Sequence, residues 1–525
     1  TDIDGNYILI NIPKDAVLNI TYVGMKSQSI SSSGRTSVNV TLLEDTELLD
    51  EVVVVGYGTQ KKVNLTGAVE SVGHEVFENR SMSNTTQALQ GAIPNLNLSL
   101  EDGKPTRSAS FNVRGKTSIG QGGSALVLID GVEGDPSLLN PNDIENISVL
   151  KDAASAAIYG ARGSFGVVLI TTKRAAKGRT SVNYTGNYSL QALAKKPEFV
   201  TDAVTWLEHF RAAYYNNMGT LPTSINNNTQ YYSDEWLERM RKWKASGEGP
   251  KTEILPNGDY EYYDNTDWMG MLFKDHTITQ DHNLTISGGN EKSDFYVSGR
   301  FYNFDGIYNF DPDTYRSYNF RAKGSLQAYQ WLRLTNNMEY SNDYYHMPYS
   351  AQGRNANLQR YIEVNAFPSL PMYNPDGSYT RGGAGTLGAL VDGNNYQNNN
   401  RNLFRNTIGF NTSFFANKFR VNGDYTLRYD DRDFFWKRVK VPYYQNANVT
   451  SPSYMGDVNG SIYEYTGHTM YTASNLYTEY ENTFAEQHYL KAMIGWNYET
   501  SSFKANSIQR NQLLLESAES VQLAT

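Results

Sequence analysis

Clustered carboxylates are the residues of this 525-residue chain whose types and spacing could do chemistry. Asp430, Asp431 and Asp433 lie close together, and Asp311 and Asp313 flank a proline. Two carboxylic acids can serve as acid and base on a glycosidic bond, but only when the fold sets their separation. Acidic loop residues are common, and sequence spacing alone does not create such a pair. These clusters therefore do not predict a glycosidase.

Other catalytic and ligand-binding patterns are also missing from the sequence. The seven histidines, among them His276, His282 and His488, show no HExxH or similar metal-ligand spacing. No G-x-S-x-G nucleophile motif occurs, and the glycine-rich run ARGSFG at 161–166 lacks the G-K-[ST] ending of a phosphate-binding loop. Because there are no cysteines, thiolate chemistry and disulfides are excluded. The sequence predicts no enzyme, no metal site and no cofactor.

Composition limits the elements that can position any site. The chain has 39 Tyr and 21 Phe and a net charge of −9, which argues against nucleic-acid binding. No run of 18 apolar residues occurs, so a helical membrane span is excluded. Abundant aromatic residues among Asn, Ser, Thr and Gly suit a membrane β-barrel, and a large soluble β-protein could share this composition.

Strict alternation of apolar and polar residues favours the barrel. Successive strand residues point to opposite faces, so residues 417–430, 316–328 and 488–499 each offer one face to lipid and one to water. These segments run roughly ten to thirteen residues, close to the 9–11 of a tilted membrane strand and longer than average soluble strands. Short turns at 327–330 and 415–418 contrast with long loops at 220–265 and 343–400. This asymmetry is typical of membrane barrels.

Four regions follow one another along the chain. Residues 1–45 contain short strands, 46–64 run from acidic through apolar to basic, 65–177 are mixed α/β, and 178–525 are β-rich. Strands are predicted at 7–12, 16–23 and 37–43, and helices at 84–91, 152–158, 202–217 and 232–245. We count nine to eleven strands after residue 180 and no clear closing strand before Thr525. Because an open edge in lipid would leave backbone groups unpaired, we expect further strands to complete the barrel.

Five segments of this chain form long motifs: LDEVVVVGYGTQKK at 49–62, FNVRGKTSI at 111–119, LVLIDGV at 126–132, VLKDAASAAIYGARGSFGVVLITTK at 149–173 and the predicted hairpins at 278–307. These motifs resemble those of SusC/RagA-like TonB-dependent outer-membrane transporters. The resemblance implies a mainly β protein: a transmembrane antiparallel β-barrel, 22-stranded when complete and partial here, around an α/β plug domain at 65–177. It further implies that 1–45 end a carboxypeptidase-regulatory-like β-sandwich and that 46–64 hold a TonB box and linker.

The β-branched run after Asp50 is the candidate TonB-binding segment. It lies between an acidic stretch and Lys61, and an exposed strand of this kind readily pairs with another strand edge. An ordinary edge strand of the preceding sandwich is the alternative interpretation. The resemblance implies strand addition by TonB at Asp50, Glu51, Val52, Val53, Val54, Val55, Gly56 and Tyr57.

Three glycine-containing turns are candidate plug residues. Glycine permits left-handed backbone and close approach, and arginine can donate several hydrogen bonds to carboxylates or carbonyls of the barrel wall. Simple solvent-facing turns are the alternative. The resemblance implies structural or coupling roles in the plug for Arg114, Gly115, Asp130, Gly131, Arg162 and Gly163.

The resemblance also implies a function and a location. We expect TonB-dependent import of an oligosaccharide or peptide across the outer membrane of a Gram-negative cell, with no nucleic-acid partner. Expected partners are TonB, a SusD-like surface lipoprotein and outer-membrane lipid, with transporter–lipoprotein pairs forming a dimer. The alternatives are a siderophore or vitamin receptor without a lipoprotein lid and a non-transporting surface binding protein. The substrate-binding residues stay unassigned; Tyr231, Tyr232, Tyr344 and Tyr345 could stack on sugar rings or pack within loops.

Overall fold

The computed structural model describes most of the chain after residue 68. It describes residues 69–77, 82–94, 96–99, 105–106, 109–113 and 123–523, the last range with gaps at 176–177, 197, 223–231, 351–357, 359–361, 364–365, 457–458, 486–487 and 518. Before residue 69 it describes short segments, among them 16–20, 28–32, 37–41, 52–55 and 58–61.

The first part of the chain contributes two small sheets. Strand β1 (Val17–Ile20) pairs with β2 (Gln28–Ser31), and β3 (Val52–Val55) pairs with β4 (Gly58–Lys61). The strand predicted at 37–43 is wrong over its described part, because residues 37–41 are not in a strand. The missed strand β2 reads QSIS, whose single apolar residue gives no alternating signal. The strand predicted at 7–12 lies almost entirely outside the described residues.

A five-stranded mixed sheet, ordered β5-β10-β11-β8-β9, forms the globular region that follows. Its central strand β11 is buried on both faces, which explains its largely apolar sequence VVLITT, and the second half of β10 is buried beside it. A separate two-stranded sheet pairs β6 with β7. The strands and helices of this region are β5 (Val69–Gly73), α1 (Thr85–Ala88), β6 (Asn97–Ser99), β7 (Ser110–Asn112), β8 (Leu126–Ile129), β9 (Val132–Glu133), β10 (Ile144–Leu150), α2 (Ala153–Ala156) and β11 (Val167–Thr172), with 3₁₀ turns at His74–Val76, Pro136–Leu138, Pro141–Asp143 and Ala157–Gly163.

A nine-stranded antiparallel sheet curves around this globular region. Its strands follow one another in order of sequence, except that β13, β14, β21 and β22 form two small hairpins in the loops. The nine are β12 (Gly178–Gln191), β15 (Thr277–Gly289), β16 (Ser293–Phe304), β17 (Tyr315–Tyr329), β18 (Leu332–Pro348), β19 (Tyr396–Thr412), β20 (Phe419–Arg438), β23 (Ser461–Phe484) and β24 (His488–Asn511).

The two faces of this sheet match the predicted alternation. In β17 the residues Ser317, Asn319 and Arg321 face the globular region and are at most 9% exposed, whereas Tyr318 and Phe320 on the outer face are 47% and 40% exposed. The chain therefore has a mainly β fold in which a wall, apolar outside and polar inside, surrounds a plug. No described helix is long and apolar enough to cross a membrane.

Connections at one end of the wall are short, and those at the other end fold into a layer of their own. We call this layer the loop cap; it comprises the described residues within 192–276, 349–395 and 439–460. Its core holds Trp236 and Trp268, whose indole N–H groups donate to the carbonyls of Tyr262 and Phe367 at 3.0 and 3.1 Å. The cap contains α3 (Ala203–Met218), α4 (Asp234–Ser246), β13 (Thr252–Ile254), β14 (Tyr260–Tyr262), α5 (Trp268–Leu272), β21 (Val441–Tyr443), β22 (Ser453–Met455) and a helical stretch made of Arg381–Gly383, a π-turn at Ala384–Gly388 and Ala389–Val391; the chain ends near a 3₁₀ turn at Val521–Leu523.

Candidate functional site

A buried arginine of the wall, Arg321 in β17, joins the wall to two carboxylates of the plug. Its Nε lies 3.2 Å from Asp143 Oδ2, and its Nη1 lies 3.7 Å from Asp130 Oδ2. On the wall itself, Nη2 lies 3.0 Å from Glu339 Oε1. The Arg321 side chain is 1% exposed, so these ion pairs are shielded from water. Burying charges costs several kcal/mol per ion, which mutual attraction offsets only in a well-defined geometry.

Asp130 occupies the turn between β8 and β9, where its φ of 49° and the φ of 86° at Gly131 place both residues in the left-handed region. Its carboxylate accepts hydrogen bonds from the Thr172 backbone N–H at 2.9 Å and from Lys323 Nζ at 3.3 Å. Burial raises the pKa of this carboxyl, but Lys323, Arg321 and the hydrogen bonds from Thr172 outweigh that effect and hold the pKa well below its usual range. Asp130 is therefore charged while the plug is in place.

Asp143 is positioned by the local sequence before β10. The side chain of Asn140 accepts a hydrogen bond from the Asn142 N–H and so caps the turn Pro141–Asp143. Asp143 is thereby directed at the wall, where the Tyr296 hydroxyl donates to its Oδ1 at 2.9 Å. Asn140 itself contacts Asn283 of β15 at 2.9 Å. A proline-containing turn with a capping residue thus fixes two plug side chains against the wall.

A second arginine contact lies further along the wall. Arg401 Nη1 lies 2.8 Å from Asp135 of the plug, and its Nη2 lies 2.7 Å from Asp430 of β20. Burial raises the pKa of Asp135, while Arg401 and the Ser137 hydrogen bonds lower it below its usual value. The wall cation is thus shared between one plug carboxylate and one wall carboxylate.

Two more wall arginines bind backbone carbonyls of the plug. Arg300 pairs with Asp281 of β15 at 2.8 Å and donates to the carbonyl of Met82 at 2.6 Å. Arg405 pairs with Glu339 at 2.5 Å and donates to the Ile129 carbonyl at 3.3 Å. Because guanidinium groups present several donors in a fixed plane, each of them bridges wall and plug at once.

Arg162 makes the plug's contact with the last strand of the wall. It pairs with Glu133 of β9 and, at 2.9 Å, with Glu499 of β24. Gly163 follows, and a Cβ there would lie 2.8 Å from the Ala156 carbonyl oxygen, so this tight turn requires glycine. The ion pairs of Arg162 are half-exposed, and solvent screening makes them weaker than the buried ion pairs of Arg321.

Replacing Asp130 by Asn should weaken the plug's attachment in a pH-dependent way. Asn tolerates the left-handed backbone but removes the charge that Lys323 and Arg321 face. Because the folded pKa is depressed, the stabilisation is complete above the ordinary carboxyl pKa of about 3.9 and is lost as pH falls through the folded value. We expect a loss of about 2 kcal/mol at neutral pH. The urea midpoints for plug proteolysis of wild type and Asp130→Asn should differ equally at pH 5.5 and 6.5, and this difference should shrink as pH falls below about 4; a difference that widens in acid would contradict this assignment.

A cavity of about 1560 Å³ lies between plug and wall on the side of the short turns. Asp130, Lys323, Arg333, Arg420 and Glu479 are among the residues that line it. Charged side chains line the cavity together with apolar ones such as Leu128 and Trp331, so the space beside the plug can hold water and polar solutes. Among the described residues, no group of three or more His, Asp or Glu side chains could hold a metal ion.

The structure brings some of the predicted site residues together and leaves others outside the described residues. Asp130 and Arg162 contact the wall, and their glycine neighbours shape the two turns. Val52–Val55 form β3 and pair with β4 rather than standing alone. The remaining predicted residues lie outside the described residues: Asp50, Glu51, Gly56, Tyr57, Arg114 and Gly115.

Sequence reasoning missed the wall residues that hold the plug. The alternation over residues 316–328 places Arg321 and Lys323 on the polar face of the strand. No sequence spacing pairs them with Asp143 or Asp130, which lie nearly two hundred residues earlier. Of the tyrosines considered for sugar stacking, Tyr231 lies outside the described residues, and two others are engaged in packing. Tyr232 lies in the core of the loop cap, and Tyr345 packs against Tyr315 with 3% of its surface exposed.

The acidic clusters do not assemble into carboxylate pairs. Asp430 faces inward and binds Arg401, while Asp431 and Asp433 follow at odd positions of β20 that face outward. Asp311 lies 2.8 Å from His346 Nε2, whereas Asp313 accepts the Ile307 backbone N–H at 2.9 Å. Asp430, Asp311 and Asp313 therefore each have a separate partner, and Asp431 and Asp433 lie on the face of β20 opposite to Asp430.

Comparison with known proteins gives this architecture a class. Residues 61–167 match the TonB-dependent Receptor Plug Domain family. TonB-dependent receptor P26 of Formosa agariphila is 31% identical over 384 residues, 72% of this chain and 34% of that protein. TonB-dependent receptor SusC of Bacteroides thetaiotaomicron is 29% identical over 318 residues, 58% of this chain and 27% of SusC.

Comparison with solved structures identifies the same fold. The structure of the RagAB peptide importer in its open-open state superposes with a TM-score of 0.68 at 21% identity, covering 90% of this chain and 52% of that one. The chain thus spans about a third or less of the curated relatives and about half of this structural neighbour.

A polar-lined antiparallel wall around a plug defines a plugged outer-membrane β-barrel receptor. Within that class, the chain is a SusC/RagA-like member of the TonB-dependent receptors, located in the outer membrane.

Proposed function

We propose that the chain belongs to a receptor that imports a large nutrient, an oligosaccharide or a peptide, by TonB-driven displacement of the plug. The observation that carries this proposal is the attachment of the plug to the wall through the buried ion pairs of Arg321. Such pairs have one well-defined bound geometry and are lost when the partners separate, as expected for a closure that opens in discrete steps.

The candidate TonB box is connected directly to the plug sheet. Residues 50–57 precede β5, which lies at the edge of the five-stranded sheet and pairs with β10 from Val69↔Leu150 to Gly73↔Asn146. TonB adds a strand at Asp50–Tyr57 and pulls, and the force reaches the plug first at β5. An isolated two-stranded hairpin such as β3–β4 is only marginally stable, so it opposes strand addition weakly.

Partners of the loop cap complete the proposal. A SusD-like lipoprotein closes over the cap, and two such transporter–lipoprotein pairs form a dimer. Support comes from the cap's own core, which provides a firm surface, and from the structural neighbour described as the RagAB peptide importer.

Deleting residues 50–58 tests the proposal. Ligand should still bind at the cell surface, because the deletion leaves wall, cap and plug contacts in place, while accumulation inside the cell should stop. The ligand for this test is the compound that co-purifies with the native receptor, which is labelled before use. A nine-residue Gly/Ser replacement of equal length controls for linker length and should fail in the same way. Unchanged accumulation in both variants would reject TonB coupling and favour a binding protein that does not transport.

A further inference from the structure

Four aromatic side chains cluster on the inner face of the wall beyond the plug. Arg428 and Asp430 face inward, since they contact the Glu133 carbonyl and Arg401. The pairing of β20 with β23 is unbroken from Phe419↔Tyr480 to Arg438↔Ser461, so even positions of β20 and odd positions of β23 share that inner face. The members of this luminal aromatic patch are Phe434, Trp436, Tyr463 and Tyr465.

The rings of the patch form a nearly continuous surface along the wall. Trp436 and Tyr463 stack with centroids 5.6 Å apart and an interplanar angle of 13°, and Phe434 meets Tyr463 at 6.2 Å. Tyr465 lies over Gly467: a Cβ at that glycine would be 2.8 Å from the ring carbon Cζ. Because glycine has no side chain at position 467, the Tyr465 ring can lie flat along the sheet, with one face of the ring toward the lumen.

Burial separates the patch from an ordinary core and from a lipid girdle. Trp436 is buried at the base, whereas Phe434, Tyr463 and Tyr465 are half-buried and keep part of their surface accessible. Lipid-facing aromatics occupy the opposite face of the same strand, as with Tyr429. Half-buried aromatic rings facing a polar lumen are suited to contact a solute.

The charges beside the patch are basic. Beyond the plug contacts, the inward positions lie within 432–438 of β20, 461–469 of β23 and 501–511 of β24. The charged residues at these inward positions are Arg432 and Arg438. Arg438 lies over the Trp436 ring at 4.3 Å and supports the base of the patch. Arg432 is exposed, and its Nε donates to Asn399 Oδ1 at 2.8 Å, which steadies the guanidinium at the edge of the patch.

We propose that the luminal aromatic patch, together with Arg432, binds an acidic oligosaccharide whose sugar rings carry carboxylate or sulfate groups. This deepens, and rests on, the import function proposed above. The flat carbon face of a sugar ring matches an aromatic face, and a planar guanidinium matches a carboxylate or sulfate with two parallel hydrogen bonds. An acidic peptide offers Arg432 the same charge but presents no ring-shaped apolar face at each residue.

Titration calorimetry on the intact detergent-solubilised receptor tests this site. The probes are tetragalacturonate, a sulfated chondroitin tetrasaccharide, neutral maltotetraose and tetraglutamate. We expect at least one acidic sugar to bind at least about tenfold more tightly than maltotetraose and tetraglutamate. Tyr465→Ala should weaken that binding about tenfold or more, since it removes both the stacked aromatic face and the apolar area that the ring buries against the sugar. Arg432→Gln should weaken it similarly and remove most of its salt dependence.

Matched variants locate the effect. Tyr465→Phe keeps the ring and should bind like wild type, and Tyr429→Ala removes an outward-facing ring from the same wall and should also leave affinity unchanged. Failure of both acidic sugars to bind, wild-type affinity in Tyr465→Ala and Arg432→Gln, or patch-dependent binding of tetraglutamate would each overturn the proposal. A failure of the import proposal can be distinguished from a failure of this binding site. Deleting residues 50–58 must leave these affinities unchanged, so a variant that binds sugar but does not accumulate it bears on transport alone.

Discussion

Replacing Arg321 by Met should detach the plug from the wall and make the outer membrane permeable to large solutes. The substitution leaves Asp143 buried without its cation and leaves Glu339 paired with Arg405 alone, and breaking a buried pair in this way typically costs about 3–5 kcal/mol. That is enough to move a closed plug to a substantially open population. We expect cells carrying the variant to become at least about tenfold more sensitive to vancomycin, measured as the minimum inhibitory concentration at equal receptor levels.

Two control variants make the Arg321 result specific. Arg316→Met removes an outward, exposed arginine from the same strand and should leave sensitivity at the wild-type level. Arg321→Lys keeps a positive charge without the planar group and should give an intermediate effect. Wild-type sensitivity of the Arg321→Met cells, with the variant receptor present in the outer membrane, would show that this arginine does not hold the plug.

Local periodicity predicted the strands of the wall but not the residues at which each strand begins and ends. Residues 316–328 were predicted as a strand and form β17, Tyr315–Tyr329. Residues 417–430 and 488–499, however, form only parts of the 20-residue β20 and the 24-residue β24. Membrane thickness sets the length that must be apolar outside, whereas pairing continues as long as the neighbouring strand supplies hydrogen bonds. Strand length therefore depends on a neighbour that the local pattern does not reveal.

Contacts distant in sequence account for the parts of the site that were missed. The helices predicted at 202–217 and 232–245 are confirmed as α3 and α4, because amphipathic spacing and capping residues are local. The cap core is not local: Trp268 donates to the carbonyl of Phe367, 99 positions later.

The luminal aromatic patch was hidden for a different reason. Phe434 and Trp436 alternate with charged or aromatic neighbours just as membrane-girdle residues do, so composition does not say which face they take. Only the contacts of Arg428 and Asp430 with their partners fix the inward direction of even positions. A sequence alone therefore identifies the strand and leaves its luminal face unassigned.

Replacing Val54 by Pro should abolish import while leaving ligand binding unchanged. Proline removes a backbone N–H and resists incorporation into a paired strand, at a cost of about 3 kcal/mol or a hundredfold in affinity. Val54→Ile is the matched control, since it keeps a β-branched residue and the backbone donor.

The affinity of the TonB periplasmic domain for the receptor, measured for wild type, Val54→Ile and Val54→Pro alongside accumulation of the co-purifying ligand, tests the central claim most directly. We predict that wild type and Val54→Ile bind TonB and accumulate ligand alike, while Val54→Pro loses about a hundredfold in TonB affinity and accumulates none. Undiminished TonB binding and accumulation in Val54→Pro would contradict coupling by strand addition at residues 50–57.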